Sequence, residues 1–436
     1  MTGAGSRTAE IRRLARADGE SAARLLFGLL RDLFGIEARS IRFNHDQYSL
    51  NSLNGFLEAG SEDFFFKFHQ EEGEEAMSGE YYRADILANA GLPVDRPVHV
   101  SALPGEQILL YRRRSDPRFS DVLRQLDLEP DNEAEEQALR AERELSEKLL
   151  AVYRATLHPV TAEEVAAEPI HRLFHERLID PRTGAMPGGR YAGFYIGRTV
   201  RFPDLELAWD DFAKARFVIN GRRYGSTVGE LFAAAGERLR PERLADAGGV
   251  TAHGDAHNAN VWYEQNGGSP RLVLFDPAFA GRNVPTLLAE VKTTFHNIFA
   301  HPLWLYDPAE ATQRYFARAT YSSGTLAVET DWELSRIRRG LLEVKALQLW
   351  RPLLRELKHR AMLPEDWRRV VRLALFLCPA LVMNLRAGAS SHTPASSLIA
   401  FSVAVMAGSE PLDGTDMISR FLDAIDPDQP GARRLA

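Results

Sequence analysis

The spacing of hydrophobic positions changes along the chain and divides it into a short mixed part and a long, mostly helical part. Leucines and alanines recur at helical spacing over about residues 19–34, which predicts a first helix. Extended aromatic runs within 40–70 are interrupted by Asn54-Gly55, a dipeptide typical of hairpin turns. A second helix is expected over about 75–90, and a further extended pair follows within 97–112. The predicted order is therefore helix, strand, strand, helix, strand, strand.

Helical patterns dominate the chain from residue 116 onward. A long amphipathic helix is predicted over 133–157, because its charges mostly lie three or four residues apart. The segment 184–193 holds four glycines and a proline, which predicts a loop. The segment 250–281 returns to strand-like patterns, and the pattern after Pro285 is mostly helical. These elements predict a small mixed sheet domain followed by a large helical one.

Composition and charge narrow the class of protein. The chain has 436 residues, 45% of them hydrophobic and 26% charged, with a formal net charge of −7, as in ordinary soluble globular proteins. This acidic balance, with a pI near 6.0, disfavours nucleic-acid binding. The one cysteine, Cys378, excludes an internal disulfide and a cysteine-rich zinc site and favours a reducing, cytoplasmic location. The N-terminus lacks the apolar core of a secretory signal. The longest apolar stretches, 373–385 and 398–407, are shorter than the roughly 18 residues of a membrane span, so no membrane association is expected.

Candidate chemistry is concentrated in the segment from Thr251 to Asp276. A loop that leaves a strand at His253 can present Asp255, and Asn260 can return an amide oxygen to the same side. A hairpin brings Asp276, at the end of the apolar run Leu272–Phe275, beside them. One carboxylate is then free to accept a proton, while an amide and a second carboxylate supply the oxygen ligands that suit Mg²⁺. Phosphoryl transfer requires this set of groups.

The segment His253-Gly-Asp-Ala-His-Asn-Ala-Asn260 resembles the catalytic loop of the aminoglycoside phosphotransferase and choline kinase family, relatives of the protein kinases. The resemblance implies that Asp255 is the catalytic base and that Asn260 and Asp276 hold the metal. His257 falls where many of these enzymes have a second histidine. The run from Asp276 through Pro277 and Ala278 to Gly281 also resembles fructosamine kinases. Ala278 departs from the more usual family pattern, which has an acidic residue there to help hold a second metal.

The first hundred residues contain candidates for the phosphate-binding pair that a kinase requires. Lys67 is the one basic side chain in an extended run of phenylalanines, where an unpaired ammonium would be costly. Glu80, on the helix that follows, is its predicted partner, and Glu74 or Glu75 at the start of that helix is the alternative. An outward-facing strand position for Lys67 is also compatible with alternation.

Two further segments are assigned to the nucleotide. The loop over 49–55, with Ser52 and Asn54, is predicted to cover the phosphates, although an ordinary hairpin fits equally well because the glycine motif of protein kinases is missing. The strand 107–111 is expected to lead into a hinge where backbone groups from Leu110 to Arg112 meet the adenine.

The remaining polar groups are not assigned to the catalytic or nucleotide site. His171 and His175 stand four residues apart, as in some zinc sites, but no third ligand follows and a structural or substrate-facing role is favoured. The three arginines at 112–114 fit a solvated surface better than an anion site. Three polar residues interrupt the apolar C-terminal region and are candidates for a substrate cleft: Asn384, Arg386 and His392.

These features predict an α+β, bilobal, protein-kinase-like fold. Residues 1–35 are expected to form an N-terminal helical extension, and 36–112 an N-lobe with an antiparallel sheet and one main helix. Residues 113–436 then form a helical C-lobe with the catalytic segment at 250–281 and an inserted, substrate-side segment at about 116–245. In the family, such insertions shape the acceptor site.

The predicted activity is ATP- and Mg²⁺-dependent phosphorylation of a hydroxyl on a small molecule, such as an aminoglycoside or other antibiotic, a sugar or an amino alcohol. A catalytically weak pseudokinase or nucleotide-binding regulator is the alternative, favoured by the weak glycine loop and by Ala278. The joint presence of Lys67, Asp255, Asn260 and Asp276 argues against it. A protein kinase is disfavoured by histidine–glycine–aspartate in place of histidine–arginine–aspartate, and by the missing alanine–proline–glutamate segment.

Overall fold

The structure is a computed structural model that describes residues 6–44, 52–60, 62–69, 83–101, 103, 105–265, 268–301 and 303–429. The chain divides into two compact units. Unit 1 contains the described residues up to Asp85 together with Val94–Asp116. Unit 2 contains Ile86–Pro93 and the described residues from Pro117 onward.

The described part of unit 1 contains two complete helices and a five-stranded sheet. The helices are α1 (Arg7–Ala17) and α2 (Gly19–Phe34), and a third, α3 (Arg83–Asn89), begins in unit 1 and ends in unit 2. The strands are β1 (Ser40–Phe43), β2 (Ser52–Ala59), β3 (Glu62–His69), β4 (His99–Ser101) and β5 (Ile108–Arg112). They lie in the order β1-β2-β3-β5-β4, and all neighbours are antiparallel.

Helix α2 has the limits that its sequence predicts. The Asp18 carboxylate accepts a hydrogen bond from the Ser21 N–H and so caps the first turn. Gly35 ends the helix in the left-handed region, at φ +66°. Helix α1, which the sequence analysis did not separate from the polar N-terminus, begins after Ser6, whose hydroxyl accepts from the Ala9 N–H.

Alternation along β3 gives the sheet one face that packs on helices. Three phenylalanines of this strand are buried in a cluster with apolar residues of α1 and α2: Phe64, Phe66 and Phe68. Phe65 and Lys67 point to the opposite face, where Phe65 packs against Leu109 and Tyr111. The phenylalanines of this run are therefore divided between the face of the sheet that packs on the helices and the opposite face.

The turn predicted at Asn54-Gly55 is wrong. Both residues lie inside β2, which ends at Ala59 and is followed by Gly60 at φ +64°, and β3 then runs antiparallel to it. Gly55 is a close-approach position: a Cβ there would lie 2.2 Å from the Arg42 carbonyl oxygen and 2.7 Å from the Phe66 ring. The glycine thus permits tight strand and ring packing, and the dipeptide was misleading because turns and close approaches both select glycine.

Unit 2 is built mainly from helices. The long helices at its N-terminal side are α4 (Phe119–Leu128) and α5 (Asn132–Thr156), and shorter ones follow: α6 (Ala162–Ala166), α7 (Gly189–Tyr195), α8 (Trp209–Lys214) and α9 (Val228–Arg238). The C-terminal helices are α10 (Val291–Thr294), α11 (Pro308–Arg314), α12 (Arg336–Val344), α13 (Arg351–His359), α14 (Trp367–Val382), α15 (Pro394–Gly408) and α16 (Met417–Ile425). A π-helical turn, Phe295–Phe299, continues α10, and a second, Lys345–Trp350, joins α12 to α13. The described residues of this unit also form four 3₁₀ turns: Pro169–Leu173, His175–Arg177, Pro241–Ala247 and Asn258–Asn260.

The strands of unit 2 form small sheets. The two-stranded pairs are β6 (Thr199–Phe202) with β7 (Leu205–Ala208), β10 (Gly249–Ala252) with β13 (Gly281–Pro285), and β11 (Val261–Glu264) with β12 (Arg271–Leu274). The four-stranded sheet joins β14 (Ala317–Ser322), β15 (Thr325–Thr330), β8 (Arg216–Ile219) and β9 (Arg222–Arg223), and its β15–β8 pair is parallel.

Most predicted elements of unit 2 are present, with two differences. The long helix and the strands of 250–281 are found, but the glycine-rich segment 184–193 turns helical from Gly189. The β14–β15 hairpin was missed, although Ser323 and Gly324, at φ +48° and +76°, have the conformation of a tight hairpin turn.

The predicted α+β class is confirmed, with an antiparallel sheet in the N-terminal part and a helical C-terminal part. The apolar stretches near residues 373 and 398 form α14 and α15, which are buried in the core of unit 2. No helix within the described ranges is long and apolar enough to cross a membrane.

Candidate active site

Two adjacent loops of unit 2 carry the residues predicted for catalysis and metal binding. The first, 253–260, connects β10 to β11, and the second, 275–280, connects β12 to β13. Gly254 lies at φ +76°, and a Cβ there would be 2.8 Å from the Phe279 carbonyl oxygen. The glycine between His253 and Asp255 therefore allows the two loops to approach each other.

The His253 side chain holds the two loops together. Its Nδ1 accepts a hydrogen bond from the Asp255 N–H at 3.3 Å, so its Nε2 carries the proton and donates to the Phe275 carbonyl oxygen at 2.9 Å. The ring is 1% exposed, and burial lowers the pKa of His253. A neutral imidazole is the form that makes both bonds.

Phe275, the residue before Asp276, is bonded through both of its backbone polar groups. Its carbonyl oxygen accepts from His253, and its N–H donates to the Asn260 carbonyl oxygen at 3.0 Å. Asp276 itself adopts a left-handed conformation at φ +54°, which Asp tolerates better than most residues. The backbone that presents Asp276 is thus tied to the loop that carries Asp255.

The Asn260 side chain is oriented by the same loop. Its Nδ2 donates to the Asp255 carbonyl oxygen at 3.0 Å. Because the amide nitrogen is used in this bond, the amide oxygen is the atom that remains to bind a cation. Asn260 and Asp276 therefore offer one amide and one carboxylate oxygen, a donor set that fits Mg²⁺ completed by phosphate and water oxygens. Within the described ranges, no group of three or more His, Cys, Asp and Glu side chains is placed to hold a metal.

The Asp255 carboxylate has one cationic neighbour that sequence analysis missed. The Lys292 Nζ lies 3.5 Å from the Asp255 Oδ1, and the two side chains are 4% and 14% exposed. Lys292 belongs to α10, and the π-helical turn that follows also contacts the loop, since the Asn297 Oδ1 accepts from the Asn258 N–H at 2.7 Å. The segment 291–299 thus supports the loop from one side. A single lysine in an apolar helix carries no sequence signal that distinguishes this role from an ordinary surface position.

His257 lies in a neighbourhood of neutral rings. Its ring centroid is 6.0 Å from that of His296, whose Nδ1 shares a 2.5 Å hydrogen bond with the Tyr306 hydroxyl. Burial lowers the pKa of both histidines, with a further contribution from the charge of Lys292. Both imidazoles are therefore favoured as neutral groups near neutral pH.

The predicted nucleotide-binding residues of unit 1 lie on the sheet. Lys67 is opposite Asn54 on β2 and Leu109 on β5, on the face that does not pack on α1 and α2. Ser52 and Asn54 are in strand β2 instead of a loop. Glu80, with its alternatives Glu74 and Glu75, lies outside the described residues. The pairing of Lys67 stays a prediction.

Leu110 and Arg112, assigned to the adenine hinge, have defined contacts in unit 1. The Leu110 side chain is buried in the cluster with α1 and α2, and its carbonyl oxygen accepts from the Val98 N–H at 2.7 Å. Arg112 is exposed and pairs with Glu62 at 3.2 Å. Arg113 pairs with Asp63, and Arg114 pairs with Asp95 and Asp116. Arg112 and Arg113 therefore lie on a solvated surface, as expected, whereas the Arg114 pairs are partly buried.

The remaining polar candidates have structural contacts. The His171 Nε2 bonds to the Val165 carbonyl oxygen at 2.8 Å, and the His392 Nδ1 bonds to the Ser396 hydroxyl at 3.1 Å. The Arg386 Nε donates to the Phe194 carbonyl oxygen at 2.7 Å, and the Asn384 Oδ1 accepts from the Arg386 N–H. His175 is buried in the 3₁₀ turn that follows His171.

Comparisons with known proteins find matches among solved structures. No protein-family model matches the chain, and no curated protein matches it. A spectinomycin phosphotransferase in complex with ADP and spectinomycin is 13% identical over 88% of this chain and 98% of that chain, with a TM-score of 0.37. An ethanolamine kinase from Plasmodium vivax is 8% identical over 93% and 95%, with a TM-score of 0.43. A microcompartment-associated aminopropanol kinase is 12% identical over 88% and 95%, with a TM-score of 0.38.

These three proteins are a phosphotransferase and two kinases of small molecules, and this chain is similar to them over most of its length at low identity. At these identities and TM-scores, the likeness says nothing about the acceptor or the activity of this chain.

Proposed function

We propose that this chain is a phosphotransferase that uses ATP and Mg²⁺ to phosphorylate a hydroxyl group of a small molecule. The observation that supports the proposal most directly is the double hydrogen bond of His253. One imidazole holds the Asp255 N–H, and it also holds the carbonyl oxygen of the residue before Asp276. A proton acceptor and a metal ligand kept at fixed positions by one neutral side chain are what phosphoryl transfer requires.

Asp255 has the role of orienting the acceptor hydroxyl and receiving its proton. Its carboxylate is mostly buried, and its one ion pair in the described part of the chain is with Lys292.

Asn260 and Asp276 are the residues that would hold Mg²⁺. Bound there with ATP, the cation would neutralise charge on the transferring phosphoryl group. Ala278 supplies no carboxylate, so the chain offers ligands for one metal at this position and a second would depend on other groups. Lys67 is assigned to the α- and β-phosphates, with Glu80 as its partner.

His253 acts through position and not through proton transfer. Both of its ring nitrogens are used by backbone groups, and burial lowers its pKa. It therefore remains a neutral bridge near neutral pH.

The test is ADP release with and without a panel of hydroxyl compounds, combined with calorimetry of MgATP binding. We expect Asp255→Asn to lower kcat by about 10²–10⁴-fold with MgATP affinity nearly intact, because only the orientation and deprotonation of the hydroxyl are lost. We expect Asp276→Ala to abolish Mg²⁺-dependent nucleotide binding.

The matched control is Asp211→Asn, an exposed carboxylate in the first turn of α8, which should behave as the unmodified protein. Turnover of the Asp255→Asn protein at the normal rate would refute the catalytic assignment. MgATP binding that Asp276→Ala leaves unchanged would refute the metal assignment.

A further inference from the structure

Two cationic side chains lie in the neighbourhood of Asp255, and the proposed mechanism does not use their charge. Lys292 is 3% exposed, and in the described part of the chain its one ion-pair partner is Asp255, at 3.5 Å. This distance is longer than the 2.7–2.9 Å typical of a charge-assisted hydrogen bond. A buried ammonium with one distant partner is expensive unless something else compensates for it.

The same unit contains a second buried lysine, Lys345, whose positive charge is compensated by two carboxylates. The Lys345 Nζ lies 3.0 Å from the Glu142 Oε1 and 3.1 Å from the Glu290 Oε2, and Glu290 also accepts from the Tyr153 and Thr293 hydroxyls. Burial opposes the charge of Lys345, but the two carboxylates outweigh it, and the pKa of Lys345 is raised. Burial dominates at Lys292, and its pKa is lowered despite Asp255. Lys345 is thus neutralised by the protein, and Lys292 is not.

The second cation is Arg177, the last residue of the 3₁₀ turn His175–Arg177. Its Nη1 makes a long hydrogen bond of 3.4 Å to the Leu381 carbonyl oxygen, and in the described ranges no carboxylate lies within ion-pair distance. Arg190 approaches the same place and donates to the Leu381 and Val382 carbonyl oxygens, both at 3.0 Å. Burial and the charge of Arg190 lower the pKa of Arg177 to about 10, while Asp255 acts in the opposite direction. The guanidinium therefore lies in a partly desolvated place where positive charge is in excess.

Among the other groups around Asp255, the Asp276 carboxylate offsets one cation, and it is also the residue assigned to Mg²⁺. His257 and His296 are favoured as neutral groups, and burial raises the pKa of the Cys378 thiol to about 12, which keeps it protonated. Electrostatic interactions connect Asp255, Lys292, Arg177 and Cys378 in one neighbourhood. With Arg190 beside Arg177 and Asp276 near the same histidines as Asp255, this neighbourhood holds three cations and two carboxylates, so it carries one positive charge in excess.

We propose that the acceptor is an alcohol that carries an anionic group, a carboxylate or a phosphate, close to the reacting hydroxyl, and that Lys292 and Arg177 select for it. This inference rests on the proposed phosphotransferase function. The acceptor oxygen forms a bond to the γ-phosphorus of ATP while the bond from that phosphorus to the β,γ-bridging oxygen breaks. ADP leaves, and the hydroxyl proton passes to Asp255.

The charge balance also excludes a class of acceptor. A polycationic substrate such as an aminoglycoside would bring ammonium groups towards Lys292 and Arg177, where like charges in a low-dielectric setting repel strongly. An anionic acceptor would supply the compensation that Glu142 and Glu290 give Lys345.

The experiment compares hydroxyl compounds that differ only in charge, measured as kcat/KM for ADP release and as binding by calorimetry in the presence of Mg-ADP. Two matched sets are glucuronate, glucose and glucosamine, and glycolate, ethylene glycol and ethanolamine. Glycerate and glycerol 3-phosphate distinguish a carboxylate from a phosphate. We expect the anionic member of a set to be used or bound at least about tenfold better than the neutral member, and the cationic member to be worst.

Preference for a neutral or cationic member would overturn the proposal, and so would failure of every anionic compound to bind at millimolar concentration. Failure of the phosphotransferase function is a different result: MgATP does not bind, and no acceptor of any charge is phosphorylated.

Variants separate charge selection from a structural role. Arg177→Gln, at a half-buried position, should raise KM for the anionic acceptor by roughly 10- to 100-fold, the value of a lost hydrogen bond to a charged group. KM for the neutral acceptor and MgATP affinity should change by less than about twofold. Arg177→Lys should restore most of the anion preference, and Arg182→Gln, an exposed arginine of a nearby loop, is the matched control.

Lys292→Gln is expected to lower the anionic-to-neutral kcat/KM ratio, with Lys292→Arg as the charge-conserving rescue. Near-UV circular dichroism checks that each variant is folded. If Lys292→Gln does not fold, Arg177→Gln alone tests whether charge selects the acceptor. Equal losses for anionic and neutral acceptors in both variants would show that the two cations are structural, and would refute the proposal.

Discussion

The double hydrogen bond of His253 allows its two functions to be separated by substitution. The ring accepts at Nδ1 from the Asp255 N–H and donates at Nε2 to the Phe275 carbonyl oxygen. Asn places a polar atom near the position of Nδ1 and can replace the first bond. Gln reaches the position of Nε2 and can replace the second. Phe conserves the ring volume and removes both.

The energetic expectation follows from the burial of the partners. His253 is 1% exposed, so His253→Phe leaves the Asp255 N–H and the Phe275 carbonyl oxygen without this partner in a mostly buried place. Each buried polar group that loses its hydrogen bond costs about 1–3 kcal/mol. The 3.3 Å bond is long and contributes towards the lower end. We expect His253→Phe to destabilise the fold by about 2–4 kcal/mol, measured by urea unfolding at pH 7.

Activity should divide between the two polar variants. His253→Asn keeps Asp255 in place and loosens the backbone before Asp276, so Mg²⁺-dependent ATP binding should weaken more than kcat. His253→Gln keeps the Phe275 bond and loosens Asp255, so kcat should fall by about 10²-fold with ATP binding largely retained. Steady-state kinetics and calorimetry on the two proteins measure this difference.

The pH dependence of stability provides an independent check. The folded-state pKa of His253 lies below the unfolded value of about 6.5, so the unfolded state binds more protons and stability is lost as pH falls below that value. His253→Phe removes this contribution, and its stability should fall less steeply with acid than that of the unmodified protein. The same kinetic defect in the Asn and Gln variants, or full activity in the Phe variant, would refute the view that His253 holds the two loops separately.

Three further outcomes are expected. Gly254→Ala should lower the free energy of unfolding by about 1–3 kcal/mol, because it introduces a Cβ at positive φ against a backbone oxygen. Gly193→Ala in α7, where nothing lies within 4 Å of the added Cβ, should be neutral or slightly stabilising by urea unfolding. Lys345→Met should destabilise by about 3–5 kcal/mol at pH 7 because two buried carboxylates lose their cation, and a loss below 1 kcal/mol would show that solvent reaches them. Lys67→Met should leave the circular dichroism spectrum unchanged and lower kcat/KM for ATP by about 10²–10³-fold, and near-normal ATP use would remove Lys67 from the phosphate site.

The parts of the fold that could be predicted were those with a regular hydrophobic period or with a specific hydrogen-bonding requirement. Alternation along β3 and the caps of α2 follow directly from side-chain direction and backbone hydrogen bonding. The loop from His253 to Asn260 was singled out because its residue types and spacing suit phosphoryl transfer, and its catalytic role stays a prediction. The local geometry then agrees with the spacing, since Phe275 bonds to both ends of this loop.

Features that depend on distant neighbours could not be predicted from local patterns. Asn54-Gly55 was interpreted as a turn because the sequence does not reveal that Arg42 and Phe66 approach Gly55 closely. Lys292 is 37 residues beyond Asp255 in the chain, and only the packing of α10 brings their charges together. A lysine that faces a carboxylate and one that faces water have the same local sequence signature.

The packing of α1 and α2 determines how the protein can be shortened. These helices cover the face of the sheet that carries Phe64, Phe66 and Phe68, and the Thr8 N–H and hydroxyl both bond to the Gly105 carbonyl oxygen, at 3.0 and 3.1 Å. Removing residues 1–35 would expose a row of aromatic rings on an antiparallel sheet, a surface that promotes self-association. The N-terminal segment therefore shields the aromatic face of unit 1, and a shortened chain that lacks it is expected to self-associate through that face.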